Sequence, residues 1–360
     1  MHTVLSDVCK LRSNPHQCLC EIPHKVPSYY IVGRNEENLV LRNIVTSQRA
    51  KDKTPGTFFL FSALFWNVAL RIRGRSPFPI KRFISANRLP SSGISDEILQ
   101  SKSIGILFLA AEKDFEMLPF AIPAAINSIH QCASEVRVTV IVPSKDIAIC
   151  QSLLGAFSNL TLVDEETVLS EDFRLTLKHR FGERYGWALQ QVLKVVYVLE
   201  SNLDGVFVVD ADTILIDRRN WITQEGHQVL TPSDEFNPSY YEFLSSVGLG
   251  SLAPEFTFVS HHMMMQPWIL REAFAAAGWK HPLDLLNAIV AHTYLNEQSP
   301  FSIDYELYAQ YIMKAHPDLI ELQKWSNLSV PRRKELELHI QSTTGKFSNR
   351  FSSISFHSYL

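Results

Sequence analysis

Residues 206–215 read VFVVDADTIL. Four apolar residues run straight into two carboxylates, Asp210 and Asp212, set one residue apart. A short continuous apolar run is the signature of a buried strand, and ligands of open α/β sheets collect at the carboxyl ends of strands. Two carboxylates delivered there could coordinate a hard divalent cation, Mn²⁺ or Mg²⁺, that bridges two phosphates. The plain alternative is a strand ending in a turn, where Asp is common. The ligand reading gains weight from what precedes the pair.

The elements that must position these carboxylates begin at Ser103. Ile104–Ala111 is a continuous apolar run, Phe115–Gln131 has helical spacing despite Pro119 and Pro123, and Val136–Val142 is a β-branched strand closed by Pro143. Ile147–Phe157 reads as helix and Leu160–Val163 as another strand. Strand, helix, strand, helix, strand implies right-handed crossovers and a parallel sheet. A polar, basic stretch, Arg174 to Arg184, leads into a helix over Tyr185–Glu200. Leu189, Val192, Leu193, Val196 and Leu199 form its apolar face; Trp187, Gln190, Gln191 and Lys194 gather opposite. After Val206–Val209 come strands near Gln228–Leu230 and over Phe256–Ser260, and helices over Tyr240–Gly248, Trp268–Ala277, Leu283–Tyr294 and Ile303–Ala315. A strand-like SISFHSY follows. The expected class is α/β, with a mixed, mainly parallel, Rossmann-like sheet flanked by helices.

Composition bounds the remainder. The chain has 360 residues, 34 Lys+Arg against 37 Asp+Glu, and 46% hydrophobic residues, which excludes a mostly disordered chain and a polytopic membrane protein. Charge is nearly balanced, so no basic field draws it to nucleic acid. Five cysteines, an odd and low count, fit a reducing compartment better than a disulfide scaffold. Cys9, Cys18 and Cys20 lack the spacing and partner pair of a zinc knuckle. Residues 1–100 are proline-punctuated and read as an N-terminal extension; 101–360 read as the main domain. Within the extension, Thr57–Leu70 is the most apolar stretch, too short for a span of about 20 residues. Lys51 and Lys53 precede it; Arg71, Arg73, Arg75, Lys81, Arg82 and Arg88 follow. Such a segment suits the interface of an anionic leaflet, or a buried helix with a basic exit. The expected location is cytoplasmic, with peripheral contact at the inner face of the plasma membrane.

From about residue 103 onward the chain resembles a glycosyltransferase of the GT-A fold. More narrowly, it resembles a bacterial family of largely uncharacterised glycosyltransferases through Gly186-Trp187-x-x-Gln190-Gln191-x-x-Lys194, VVDADT, His261-His262-Met263, Ser302-x-x-Tyr305-Glu306-Leu307-Tyr308 and Ser355-Phe356-His357-Ser358-Tyr359. The resemblance implies a nucleotide-sugar donor, a glycan or lipid-linked acceptor, and Mn²⁺ or Mg²⁺ held by Asp210 and Asp212 on the donor diphosphate. It implies His357 as a further metal ligand, since imidazole is acceptable to Mn²⁺. It also places a general base, which would deprotonate the acceptor hydroxyl, near Asp304 and Glu306, with Asp304 preferred. Either carboxylate is equally at home in the first turn of a helix after an N-cap Ser302.

Other residues fit that frame with their bland readings beside them. Lys194 supplies a point charge for a phosphate, and the amides of Gln190 and Gln191 can read sugar or base edges; a solvated helix face uses the same residues. Arg174, Lys178, Arg180 and Arg184 form a cationic patch for a diphosphate, or merely a soluble loop. His261 and His262 would touch acceptor or donor, yet adjacent strand residues point to opposite faces, so at most one faces a site. DADT also matches the nucleophile motif of a HAD-type phosphohydrolase, with Asp210 as nucleophile and Asp212 as acid/base. Against that, the motif follows a complete Rossmann half instead of opening one, and no later strand ends in paired acids. A catalytically inactive GT-A-like module is the non-enzymatic alternative.

Overall fold

The computed structural model describes residue 89 and residues 103–129, 136–155, 157–222, 226–233, 235–295 and 303–358. The apolar Thr57–Leu70 segment, its basic flank, Ser302 and Tyr359 lie outside the described residues. In chain order the elements are β1 (Ile104–Leu109), a 3₁₀ segment (Glu112–Met117), α1 (Leu118–Ser128), β2 (Arg137–Val142), α2 (Ile147–Leu154) and β3 (Leu160–Asp164). Then follow α3 (Glu165–Val168), α4 (Glu171–Phe181), α5 (Tyr185–Glu200), β4 (Gly205–Asp210), β5 (Thr213–Leu215), β6 (Gln228–Leu230) and α6 (Pro238–Ser246). The rest are β7 (His262–Met265), α7 (Pro267–Ala276), α8 (Pro282–Leu295), α9 (Tyr305–Ala315), β8 (Ile320–Leu322), β9 (Asn327–Pro331), α10 (Leu336–Phe347) and β10 (Ser353–His357).

The main sheet has the order β3-β2-β1-β4-β7. Its first four strands are parallel and β7 is antiparallel to β4. This is the expected mixed, mainly parallel α/β architecture. The apolar runs are continuous because helices cover both faces. Leu107, Val206 and Val208 enter one core, while Ile106, Phe108, Phe207 and Val209 enter the other. Each such fully buried side chain contributes about 1.5–3 kcal/mol. β4 starts at Gly205 because a Cβ there would stand 2.8 Å from Ile222 Cδ1 and 2.9 Å from Met264 Sδ.

A second sheet, β5-β10-β9, carries the last strand among the described residues. β10 runs antiparallel to β5 and parallel to β9. Period-2 alternation gives it two unlike faces. Ile214, Leu328, Val330, Ile354 and Phe356 face the core. Thr213, Asn327, Ser329, Ser353, Ser355 and His357 occupy the alternate positions.

Three expectations are corrected. The basic stretch from Arg174 is not a loop: residues to Phe181 belong to α4, and a 3₁₀ turn covers Gly182–Arg184. Ser170 caps α4 by accepting from Phe173 N, Glu171 and Asp172 sit in the first turn, Lys178, His179 and Arg180 in the last, and Gly182 ends it at φ +53°. Those charges complement the helix dipole. Phe256–Ser260 is not a strand; Thr257 makes only a single bridge to Ser233. The strand that pairs with β4 starts at His262, after His261 turns the chain with φ +63°. Finally, α9 is capped by Asp304 itself, whose Oδ1 accepts from Tyr305 N at 2.9 Å.

Candidate active site

β4 ends at Asp210, level with Leu109 of β1 in the parallel register. The chain then breaks at Ala211 and Asp212 before β5. Asp210 is therefore presented at the carboxyl edge of the main sheet and Asp212 at the entrance to the second. Four other elements close on the pair. From α5, Lys194 Nζ lies 2.7 Å from Asp210 Oδ1 and 2.9 Å from Asp304 Oδ2. From α9, Tyr305 OH donates to Asp210 Oδ1 at 2.8 Å. From the turn before β7, His261 Nδ1 lies 3.1 Å from Asp210 Oδ2. From β10, His357 Nδ1 lies 2.9 Å from Asp212 Oδ2. The two imidazole centroids are 5.4 Å apart.

The electrostatics follow from burial. Lys194 is only 3% exposed. Desolvation alone would pull its pKa down, but the two carboxylates more than offset that and hold the ammonium above the usual lysine range. Desolvation likewise pushes Asp210 up, and the Lys194 charge and the His261 bond outweigh it, leaving the carboxyl far below its ordinary range. His261 is lowered by burial and raised by its bond to Asp210, with a net upward shift. Asp210, Asp212 and His261 keep 25%, 18% and 20% of their side chains exposed, so this edge of the cluster is open to a ligand. His261 reaches it through a left-handed backbone that costs about 1–3 kcal/mol in a non-glycine residue, a strain typical of functional sites.

Not every sequence candidate joins this cluster. Gln191 is buried, and its Oε1 accepts from Ile303 N at 2.9 Å. Together Gln191 and Lys194 hold the start of α9 and are not a solvated face. Gln190 is exposed and Trp187 half-buried beneath Arg184, whose guanidinium stacks 4.3 Å over the indole. Arg180 is anchored on Thr293, bonding its hydroxyl at 2.9 Å and also its carbonyl. Arg174 pairs with Glu166 at 3.0 Å. The cationic patch is thus largely engaged in holding helices together.

Glu306 and His262 sit in the core. Glu306 accepts from Phe258 N at 2.6 Å, Tyr241 OH at 2.9 Å and Gln310 Nε2 at 3.0 Å, with no exposed surface. A base needs a lone pair facing substrate, and this carboxyl offers none. His262 is wedged among Phe207, Trp221 and Trp325, with Nδ1 donating to Ser260 O at 2.8 Å. The left-handed turn at His261 separates the two rings. Burial pushes Glu306 from 4.5 up to about 7, against its three donors, and pushes His262 from 6.5 down to about 3. The two give opposite pH slopes. Between 4.5 and about 7, unfolding releases the proton of Glu306, so stability falls as pH rises. Between 6.5 and about 3, unfolding lets His262 take up a proton, so stability falls as pH falls. In the overlap the two slopes oppose each other. We expect Glu306→Gln to remove the first slope and His262→Phe the second, read as melting temperature against pH. Parallel curves for variant and wild type would refute the assignment.

Among the described residues, no three His, Cys, Asp or Glu side chains stand as a ready metal cage. The donor chemistry nevertheless fits a hard divalent cation: two partly exposed carboxylates stand one residue apart after β4, each with an oxygen whose present partner is an imidazole nitrogen. Residues that the sequence reading passed over include Tyr305 as a partner of Asp210, and Thr213, Ser329 and Asn327 around Asp212 and His357. Their signal was the alternation of hydroxyls with apolar residues in SISFH and NLSVP.

No protein-family model matches the chain, and no curated protein does. Among solved structures it is similar to mouse xyloside xylosyltransferase 1 in its apo form, at 13% identity over 72% of this chain and 98% of that one, with TM-score 0.41. It is also similar to the galactosyltransferase LgtC in complex with donor and acceptor sugar analogues, at 12% identity over 70% of this chain and 86% of that one, with TM-score 0.39. An active-site mutant of LgtC matches at 13% identity and TM-score 0.39. At such scores the likeness carries no chemistry over to this chain, whose site is read from its own residues. No helix among the described residues is long and apolar enough to cross a membrane.

Proposed function

We propose that the chain is a metal-dependent glycosyltransferase of the GT-A fold, moving a sugar from a nucleotide-sugar donor to a hydroxyl of a glycan or lipid-linked acceptor. The observation that carries this reading is the meeting of Asp210, Asp212, His261 and His357 at the open carboxyl edge of β4, after a parallel β1–β2–β3 half. A bound Mn²⁺ or Mg²⁺ would supply the positive charge that offsets the charge building on the departing diphosphate. Asp210 and Asp212 would hold it. Asp210 has Oδ2 to offer, because Oδ1 is occupied by Lys194 and Tyr305. Lys194 is then a positioning residue and not a phosphate ligand, for its charge is spent on two carboxylates inside the protein. Asp304 belongs with it: one oxygen caps α9 and the other meets Lys194, so it fixes Asp210 at one remove. His261 is the acceptor-side imidazole, and Arg184 on Trp187 with Gln190 nearby forms the polar rim.

Calorimetry of UDP and GDP binding with and without Mn²⁺ tests the reading. Binding that requires the metal is the expected result; no binding under any metal condition, or turnover of a generic phosphate ester, removes its support.

The N-terminal segment adds a separate expectation. If residues 57–88 meet anionic lipid, as a lipid-linked acceptor would favour, the full chain will co-sediment with anionic vesicles at low salt and release at high salt, since salt screens the attraction. Equal recovery with neutral vesicles would sink it.

A further inference from the structure

The left-handed turn at His261 holds Asp210 twice. The His261 carbonyl accepts from Asp210 N at 2.9 Å, and the His261 ring meets Asp210 Oδ2 at 3.1 Å. A non-glycine residue keeps such a backbone only where the surroundings over-determine it. On the C-terminal side of the turn, the ladder of β7 with β4 begins at His262 and supplies that support. On the N-terminal side lies Phe256–Ser260, which is not a strand. Phe256, Thr257, Phe258 and Ser260 are buried, so their backbone groups must still find partners.

Side chains of α9 stand in for the partner strand. Gln310 Nε2 donates to Phe256 O at 2.9 Å, and Phe258 N donates to Glu306 Oε1 at 2.6 Å. Thr257, between them, is tied to Ser233, whose N–H donates to Thr257 O at 2.7 Å. Glu306 and Gln310 lie four residues apart on one face of α9, and Gln310 Nε2 also donates to Glu306 Oε2 at 3.0 Å. Donor counting explains the residue types. Phe258 N, Tyr241 OH and Gln310 Nε2 all donate to Glu306, and a carboxylate only accepts. An amide at 306 would turn an NH₂ on one of three donors. At 310 the demand is reversed: the amide gives one N–H to Phe256 O and one to Glu306, which a carboxylate could not do.

The same helix also reaches Asp210 from the other side. Tyr305 OH donates to Asp210 Oδ1, and the Asp304 cap meets Lys194, which meets that same oxygen. The start of α9 thus governs Oδ1. Its next turn governs Oδ2 and the backbone N–H, through the His261 turn.

We infer that Glu306 and Gln310 are positioning residues of Asp210: they splint the Phe256–Ser260 segment and thereby hold the His261 turn against that carboxylate. The use of Asp210 at a donor diphosphate rests on the glycosyltransferase reading; the splint does not.

The test is native-state hydrogen exchange in the full chain, metal-free, read at the Asp210 amide and compared with the amides of β1. Gln310→Met keeps the side-chain length and removes both donations. Tyr241→Phe is the matched control, since it also takes a buried hydrogen bond from Glu306 but leaves the bonds to Phe256 and Phe258 in place. In Gln310→Met the Asp210 amide is expected to exchange about tenfold faster relative to β1, as a local opening and not a global one. Tyr241→Phe is expected to leave that ratio at the wild-type value. Calorimetry with UDP and Mn²⁺ should show binding weakened roughly tenfold in Gln310→Met, the lower end of what loss of an outer-shell partner does, and unchanged in Tyr241→Phe. Glu306→Gln, which sets an NH₂ against one of its donors, should repeat the Gln310→Met pattern and replaces that variant if it fails to fold. An Asp210 amide that keeps pace with β1 in Gln310→Met, an equal response in Tyr241→Phe, or UDP binding that Gln310→Met leaves unchanged would each overturn the inference. If wild type binds no UDP, the metal-free exchange still decides the splint, and the failure belongs to the glycosyltransferase reading alone.

Discussion

Asp212→Ala should leave the fold intact and abolish the Mn²⁺-dependent part of nucleoside-diphosphate binding. The carboxylate stands between two strands, with 18% of its side chain exposed and no apolar core to leave empty. Its removal takes away the Asp212 partner of His357, which costs about 1–3 kcal/mol at most, short of what unfolds a domain. The loss of binding should exceed the roughly 10–100-fold that follows from removing an outer-shell partner, because the proposed function makes Asp212 a direct ligand. Asp212→Asn, which keeps the shape and an acceptor for His357, should retain near-native melting and still lose the metal dependence. Calorimetry against UDP and GDP, beside thermal melts, separates the two effects. If Asp212→Ala binds nucleoside diphosphate with wild-type metal dependence, the carboxyl edge of β4 is not the donor site.

Lys194→Met should be the most destabilising substitution at the site. It leaves Asp210 and Asp304 facing each other across a space that held their shared cation. Breaking a buried ion pair from one side costs about 3–5 kcal/mol, since the remaining charge is desolvated and unpaired. Here two carboxylates are left. Asp304→Asn in the same chain should recover part of the loss: the amide oxygen still caps α9 through Tyr305 N, and one uncompensated charge disappears. The cycle of wild type, two singles and the double, measured by chemical denaturation, gives a coupling energy. Simple additivity would mean that the ammonium does not link these carboxylates. Lys194→Arg should not restore the site, because a planar fork cannot reproduce a point charge between two oxygens at 2.7 and 2.9 Å.

The central strands, α5 and the carboxylates at the end of β4 were legible because each depends on a local pattern: an apolar run, a 3.6-residue spacing, a run that stops at Asp. What could not be read was where α5 points. Gln190 and Gln191 look alike in sequence, yet one is exposed and the other bonds Ile303, more than a hundred residues on. In sequence the face holding Lys194 reads as polar, turned to a phosphate or to solvent. It is polar because α9 brings Asp304 and Tyr305 to it, and no spacing within α5 reports that. For the histidines, the left-handed turn at His261 does the sorting: His261 meets Asp210 while His262, the first residue of β7, joins Trp221 and Trp325 in the core. β5 and β9 were missed because short strands with a hydroxyl-rich face lack the apolar weight of a buried strand, and α4 because its charge content masked a capped helix.

The bond between Asp212 and His357 spans 145 residues of chain. Closing a loop of that length costs about 4 kcal/mol of chain entropy, so the contact forms only after other structure has drawn the strands together. During synthesis, at about 5–20 residues per second, the main sheet has all its strands once β7 has emerged, while β10 is still many seconds away. For that interval the growing chain holds Asp210 and Asp212 at the end of a finished sheet, with neither the α9 carboxylate and tyrosine nor the β10 imidazole in place. The carboxylate end of β4 is therefore built first, and the arrival of β10 sets the moment at which the cluster around Asp210 and Asp212 is complete.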